Sequence, residues 1–359
     1  MAERLVDIFF QKNFFEKLCA EISKHYPGFD SIGFKEAVHT DNWLDLALKQ
    51  RMQRIVTQLS EHLPFHYDKQ IEILLKTEHI ITHNFEHTIF SEFVEMHGLN
   101  DYDTSMIAIE VFTKSTSELA IRPFLNQDYK TTIKIMTNWS TSEHIHLRRL
   151  ASEGSRPYLP WAKRVPPLIE NQKDILKILE NLKDDESEYV RRSVANNLND
   201  ISKIDPESVL TIAKRWHGQN SNRDRLVKHG LRTLLKRGNK DAMKLFGFKE
   251  VNVTVTKLDY LPEIIIGTAQ QLDFTLMFSS PSPNLIRVEY VIHFLTSTGK
   301  ISKKVFKLFE KSIDENSLQV KKTIVFKPLS TRKLFPGSHK IEIVINGYVK
   351  ETIKFNLVQ

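Results

Sequence analysis

The hydrophobic pattern changes period once along this chain, and that change constrains the fold more than any other feature. Up to about residue 248, apolar side chains recur every three or four positions. Leu5, Ile8, Phe9, Phe15 and Leu18 do so first, then Trp43, Leu44, Leu48, Met52, Ile55, Val56 and Leu59, with Asp41 as N-cap and Pro64 as stop for that second helix. Further helices are predicted at about 69–82, 86–97, 102–122, 128–139, 142–154, 172–183, 187–201, 206–216, 222–237 and 240–246, joined by short loops. From Val251 the period becomes two: Val251, Val253 and Val255, then Leu272, Phe274, Leu276 and Phe278, then Ile286, Val288, Tyr290, Ile292 and Phe294. The same alternation returns around residues 303–309, 320–327, 339–346 and 349–357, with turns at Pro281 and Pro283, Gly299, Pro336-Gly337 and Asn346-Gly347. Asn-Gly between two alternating runs is a strong hairpin signal. About seven strands on this spacing read as an immunoglobulin-like β-sandwich, here without the Cys…Trp…Cys core of antibody domains. Two domains are expected, helical over 1–248 and β over 249–359.

A weak repeat runs through the helical half. Leu147-Arg148-Arg149 is echoed by Val190-Arg191-Arg192 after 43 residues and by Val227-Lys228-His229 after 37 more. A spacing near 40 between two-helix units marks HEAT-like repeats, which stack into an α-helical solenoid with one concave face.

Charge then narrows the partners. The chain of 359 residues carries a formal charge of +7, and residues 189–240 hold twelve Lys or Arg against four Asp or Glu. The stretch Glu143–Arg164 gathers Arg148, Arg149, Arg156, Lys163 and Arg164 around one carboxylate, Glu153, with Trp161 in a polar turn after Pro160. Ala151, Ser152, Gly154 and Ser155 are small enough to admit another backbone, which suggests a surface that takes a polyanion close. With Arg191, Arg192, Lys228, Arg232 and Lys236 these residues would form a basic track for DNA, binding with strong salt dependence. The single cysteine, Cys19, excludes a disulfide framework and a cysteine zinc site and fits a reducing cytoplasm. The polar breaks in the first fifteen residues argue against a signal peptide, and no apolar run is long enough to span a membrane. His144 and His146, two apart on a helix, point to different faces, and no metal or nucleotide motif appears, so neither metal nor cofactor is expected.

Carboxylates inside a cationic track need a reason. Glu118 in MIAIEVFTKSTSELAIRPFL, Glu153 among the arginines and Asp200 at the end of RRSVANNLND are the candidates. A carboxylate facing DNA can stabilise a cationic sugar as a glycosidic bond breaks, or orient the attacking water. Each also has a plain structural alternative: Glu118 bridging to Arg122, Glu153 pairing with Arg149, Asp200 capping the next helix. Trp139 and Trp216 read as core.

The segment HLRRLASEGSRPYLPWAKR, with VRRSVANNLNDISK and LVKHGLRTLLKRGN downstream, resembles the AlkC branch of the AlkC/AlkD DNA alkylation repair family across the helical half. The resemblance implies a HEAT-like DNA glycosylase of base excision repair, acting on duplex DNA with cationic N3-alkylated bases such as 3-methyladenine and 3-methylcytosine. It implies Glu118, Glu153 and Asp200 near the lesion, Arg149 and Arg156 at the DNA backbone and Trp161 as the site's aromatic. An immunoglobulin-like C-terminal domain also occurs in one AlkC subgroup. The AlkD branch, with its catalytic aspartate between tryptophans, fits less well, because no Trp lies near Glu118 in sequence. A monomer is expected, and Lys303, Lys304, Lys307 and Lys311, or Lys321-Lys322, would give the sandwich its phosphate contacts. The rival from another class is a HEAT scaffold that binds nucleic acid without chemistry.

Overall fold

The computed structural model describes residues 8–114, 116–279, 284–328 and 333–359. Leu5, Pro281 and Pro283 lie outside the described residues. Helices α1 (Lys12–His25), α2 (Ser31–Val38), α3 (Leu48–His62), α4 (Tyr67–Thr77), α5 (Asn84–His97) and α6 (Tyr102–Phe112) open the chain. They are followed by α7 (Ile121–Gln127), α8 (Tyr129–Trp139), α9 (Ile145–Gly154), α10 (Pro166–Glu170), α11 (Gln172–Leu182) and α12 (Glu188–Ile201). Then come α13 (Pro206–Trp216), α14 (Ser221–Gly230), α15 (Arg232–Lys236) and α16 (Lys240–Leu245). The chain forms two compact units: residues up to Asp205 together with Trp216–Gly230, and Pro206–Arg215 together with Leu231–Gln359.

Four predicted helices are interrupted. The first, expected through Ile8, Phe9, Phe15 and Leu18, is broken at Phe9–Gln11, with Phe10 at φ 61°, and α1 begins only at Lys12. The run expected over 102–122 stops at Phe112 and resumes at Ile121, so Glu118 sits in a turn and not on a helix. Thr113, Thr116 and Ser117 lower helix propensity there, since short hydroxyl side chains compete for backbone partners; Ser117 Oγ is instead buried against Ser91 Oγ at 2.7 Å. The run over 222–237 breaks after Gly230. Asp41 caps nothing: Trp43–Asp45 is a single 3₁₀ turn, and α3 begins after Ala47, whose N–H donates to Gln50 Oε1 at 2.8 Å.

Helical periodicity does place the core. Ile175, Ile178, Leu179 and Leu182 on α11 are all buried, and each such side chain contributes about 1.5–3 kcal/mol. The HEAT-like repeat is visible atom by atom. Helices α9, α12 and α14 stack in order. Arg148 Nη1 donates to the carbonyls of Ser142 (3.1 Å) and Glu143 (2.8 Å), and Arg191 Nη1 donates to those of Asp185 (2.6 Å) and Glu186 (2.8 Å). In both copies an arginine closes the loop five and six residues before it. The stack is tight enough that a Cβ on Gly230 would lie 2.8 Å from Leu198 Cδ2.

The β region holds β1 (Val253–Asp259), β2 (Glu263–Ile265), β3 (Ala269–Phe278), β4 (Asn284–Leu295), β5 (Ile301–Ile313), β6 (Ser317–Val325), β7 (Gly337–Ile345) and β8 (Tyr348–Val358). Two sheets, ordered β1-β3-β6 and β2-β8-β7-β4-β5, form the immunoglobulin-like sandwich. The inward alternation Ile286, Val288, Tyr290, Ile292, Phe294 meets Leu272, Phe274 and Leu276 in one core. The predicted β7–β8 hairpin turns at Asn346 and Gly347, both at positive φ (51° and 82°) as a type I′ turn requires. Asn346 also accepts from the Arg287 N–H (2.7 Å) and donates to the carbonyls of Lys249 (2.7 Å) and Leu285 (3.0 Å). The strand β2 is too short to show as alternation; it adds to β8 in parallel.

Candidate active site

Helices α9 and α12 cross at their small residues. Ala151, Ser152, Gly154 and Ser155 are buried, and Asn197 Nδ2 donates to the Ser152 carbonyl (2.7 Å) and to Ser155 Oγ (3.0 Å). Buried as they are, these small residues admit side chains of the chain itself, Asn197 and Ser193 against Ser152, and Ile121 and Met136 against Gly154, where their size had suggested room for a polyanion.

That close crossing gathers a buried ion cluster. Arg156 Nη1 lies 2.5 Å from Glu153 Oε1, and Arg156 Nε lies 2.9 Å from Asp200 Oδ2. Ser193 Oγ donates to Glu153 Oε2 (2.7 Å), and Lys203 Nζ reaches Asp200 Oδ1 (2.9 Å). Each of the four carboxylate oxygens thus has its own donor, as buried charges require. Burial works against the Arg156 charge, but Glu153 and Asp200 outweigh it and hold the guanidinium above its usual pKa.

Glu118 reaches the same helix by another route. Both terminal nitrogens of Arg149 lie 3.4 Å from Glu118 Oε1, and Thr116 Oγ1 donates to Oε2. The Arg149 guanidinium also stacks over the Tyr189 ring at 4.6 Å. Arg149 and Glu153 are four residues apart, so they share a face of α9. The Tyr189 phenol has its pKa raised first by burial; the Arg149 charge opposes that rise, and the charges of Glu118 and Glu153 add to it.

None of the three local alternatives occurs. Glu118 pairs with Arg149 and not Arg122, Glu153 with Arg156 and not Arg149, and Asp200 with Arg156 and Lys203. Arg122, 1% exposed, donates to the carbonyls of Lys163 (2.7 Å), Arg156 (3.0 Å) and Gly154 (3.2 Å). Burial first, and repulsion from Arg156 second, push it down to about 10. It staples the loop that carries Trp161, which stands 95% exposed at φ 62°. Trp139 and Trp216 are buried, donating to Glu110 (2.7 Å) and Glu180 (3.1 Å).

The expected basic residues divide into three groups. Arg148 is held by Asp185 (2.6 Å), whose hydrogen bond raises its pKa, and Arg191 by the loop carbonyls, so both act as internal braces. Lys163, Arg164 and Arg192 are exposed and Lys228 is half-buried; Arg192 lines a cleft of about 460 Å³ with Arg225 and His229. Arg232 and Lys236 lie on α15, in the second unit. In the sandwich, Lys303, Lys304, Lys307 and Lys311 are exposed on the edge strand β5, while Lys321 pairs with Asp273 at 3.0 Å. Sequence reasoning missed Lys203, Ser193, Arg122 and Tyr189. Only Lys203 carried a local signal, three residues after Asp200 on one helical face. No group of three or more His, Cys, Asp or Glu with metal-holding geometry occurs among the described residues. No helix among them is long and apolar enough to cross a membrane.

A family model described as DNA alkylation repair enzyme matches residues 110–234, a span containing all three carboxylates. A second model, the C-terminal Ig-like domain of the uncharacterised protein YhaZ, matches residues 254–359. The uncharacterized protein YhaZ of Bacillus subtilis (strain 168) is 39% identical over 350 residues, covering 95% of this chain and 97% of that protein. Among solved structures, Pseudomonas fluorescens alkylpurine DNA glycosylase AlkC, bound to DNA containing an abasic site analog, superposes with a TM-score of 0.92. It is 34% identical and covers 99% of this chain and 100% of its own. The chain belongs to the AlkC/AlkD DNA alkylation repair family. The similarity to AlkC spans both the helical region and the Ig-like sandwich, and not only the segment matched by the repair model.

Proposed function

We propose that this protein is a DNA glycosylase of base excision repair that hydrolyses the N-glycosidic bond of cationic N3-alkylated bases, 3-methyladenine and 3-methylcytosine, in duplex DNA. The observation that carries the reading is the convergence of Glu118, Glu153 and Asp200, from three separate segments, on Arg149 and Arg156 of one helix and its end. The AlkC likeness over the full chain supports it.

The chemistry follows from the charge of the lesion. N3-methylation makes the base a cation, so when the C1′–N bond breaks its electron pair neutralises the leaving base and no acid need protonate it. Positive charge passes to the sugar, where fixed carboxylates stabilise the oxocarbenium and orient the water that adds to C1′. The water proton leaves through a carboxylate to solvent. Arg149 and Lys203, at the outer edge of the cluster, are placed to take phosphate as partner in place of Glu118 and Asp200. Trp161 offers a face for a base beside the lesion.

The test is release of free methylated base from alkylated DNA with chelator present. Wild-type protein should release it, and Asp200→Asn and Glu118→Gln should lower the rate by about 10²–10³-fold while leaving DNA binding intact. Salt-sensitive binding without release of either base would establish the non-enzymatic scaffold instead.

A further inference from the structure

Beside Glu118 the helical unit holds a cavity of about 570 Å³, within the range of small-molecule sites. Its walls are apolar, formed in part by Met52, Phe85, Leu119, Leu159 and Trp161. Its charged groups are mostly acidic. Glu92 and Glu95, three residues apart on α5, line it with Glu118, and Lys49 is the single cation among the lining residues. Glu92 is 4% exposed, accepts from Gln53 Nε2 at 3.1 Å and lies 3.8 Å from Lys49 Nζ. Glu95 Oε2 is buried and takes no hydrogen bond from the protein. Burial, and then the charge of Glu95, push the Glu92 carboxyl above its ordinary range. A buried acceptor without a donor is destabilising, so the unpartnered Glu95 oxygen, with Glu92 three residues away in the same apolar hollow, points to a ligand rich in donors.

Resting on the glycosylase reading above, we propose that this cavity takes up the methylated base after the glycosidic bond is cut. The ligand class is a flat heteroaromatic ring with an exocyclic amine. Its faces and methyl group lie against the apolar walls, and its N–H groups donate to Glu92 and Glu95. The acidic lining repels phosphate, so the abasic strand and intact nucleotides are refused while the free base is kept. Glu118 and Trp161 line this cavity as well, so the hollow adjoins the residues assigned to the reaction.

Binding is measured on the full chain without DNA, using free 3-methyladenine in equilibrium dialysis with adenosine monophosphate as the anionic control. Saturable binding of the base and none of the nucleotide are expected. The double substitution Glu92→Gln with Glu95→Gln should weaken binding by about tenfold or more. Thr88→Phe, which fills the hollow without touching an acid, should do the same. Thermal melts establish that each variant is folded, and base release from alkylated DNA is read on the same preparations. No binding to the wild type at millimolar base, or undiminished binding in both variants, overturns the cavity assignment even if DNA releases base normally. Binding without any release from DNA overturns the glycosylase reading and the product role with it.

Discussion

Arg156 in the helical unit and Arg287 in the β unit are built alike. Each is more than nine-tenths buried and bridges two acids, Glu153 and Asp200 in one case and Glu289 and Glu310 in the other. Each cluster has an outer lysine, Lys203 at 2.9 Å from Asp200 and Lys307 at 3.5 Å from Glu310. Their surroundings differ. The acids around Arg287 stand on neighbouring strands of one sheet, with Glu289 two residues along β4 and Glu310 paired opposite on β5. Around Arg156 two helices meet, a second acid–arginine pair stands seven residues earlier, at Arg149 on α9, and Glu118 of that pair borders a cavity and an exposed Trp. A buried arginine with two carboxylates is therefore no sign of function by itself; the neighbouring pair and the opening beside it are what separate the two.

The largest effects that bear on this contrast come from the arginines themselves. Arg156→Met and Arg287→Met each remove a buried arginine from the two acids it bridges, and each should cost about 3–5 kcal/mol in urea-unfolding titrations. Base release per folded molecule should then divide them, falling in Arg156→Met and unchanged in Arg287→Met. Arg156→Lys and Arg287→Lys keep the charge where the methionine variants do not fold. Equal losses of activity per folded molecule at both sites would erase the distinction.

Trp161 sharpens the contrast at the rim. It is 95% exposed, so Trp161→Ala should shift stability by no more than about 0.5 kcal/mol. If the ring stacks on a base next to the lesion, the same substitution should weaken capture of alkylated duplex by about 1–3 kcal/mol, read as the half-saturating DNA concentration in single-turnover base release. Trp161→Gly tests the backbone as well. At φ 62° a non-glycine residue is strained by about 1–2 kcal/mol, so glycine should be neutral or stabilising while losing the same affinity. Unchanged affinity in both variants would make Trp161 a bystander.

The two halves of the fold were legible because each follows one hydrophobic period. The inward positions of β4 and the Asn346-Gly347 turn come out as read. The pairings within the site were not legible. Local rules pair residues three or four apart, which suggested Glu118 with Arg122 and Glu153 with Arg149. The partners found are 31 residues apart for Glu118 and Arg149, and 44 apart for Arg156 and Asp200, because helix stacking decides them. The absence of a Trp near Glu118 in sequence likewise misleads, since Trp161 and Glu118 line one cavity. Small residues in α9 announce a close approach but not what approaches, and a repeat of arginines does not distinguish Arg148, which braces a loop, from Arg149, which faces an acid.

The smallest expected effect contrasts the two units by their buried and half-buried imidazoles. Burial pushes His87, His97 and His146 in the helical unit below the ordinary value of 6.5, and does the same to His339 in the β unit. His87 Nε2 faces Glu78 Oε2 at 2.7 Å, and Lys114 Nζ holds the other Glu78 oxygen at 2.6 Å. Since the folded pKa is depressed, the unfolded chain binds protons first as pH falls. The stabilisation is complete above about pH 6.5 and is lost as pH drops through the lower folded values. Each unit of depression is worth about 1.4 kcal/mol per histidine. Urea titrations between pH 7.5 and 5 should therefore show stability falling toward acid, with the steeper slope in the helical signal. His87→Gln should flatten that slope whatever it does to absolute stability. A slope unchanged by the substitution would mean that His87 takes up its proton as readily in the native protein as in the unfolded chain.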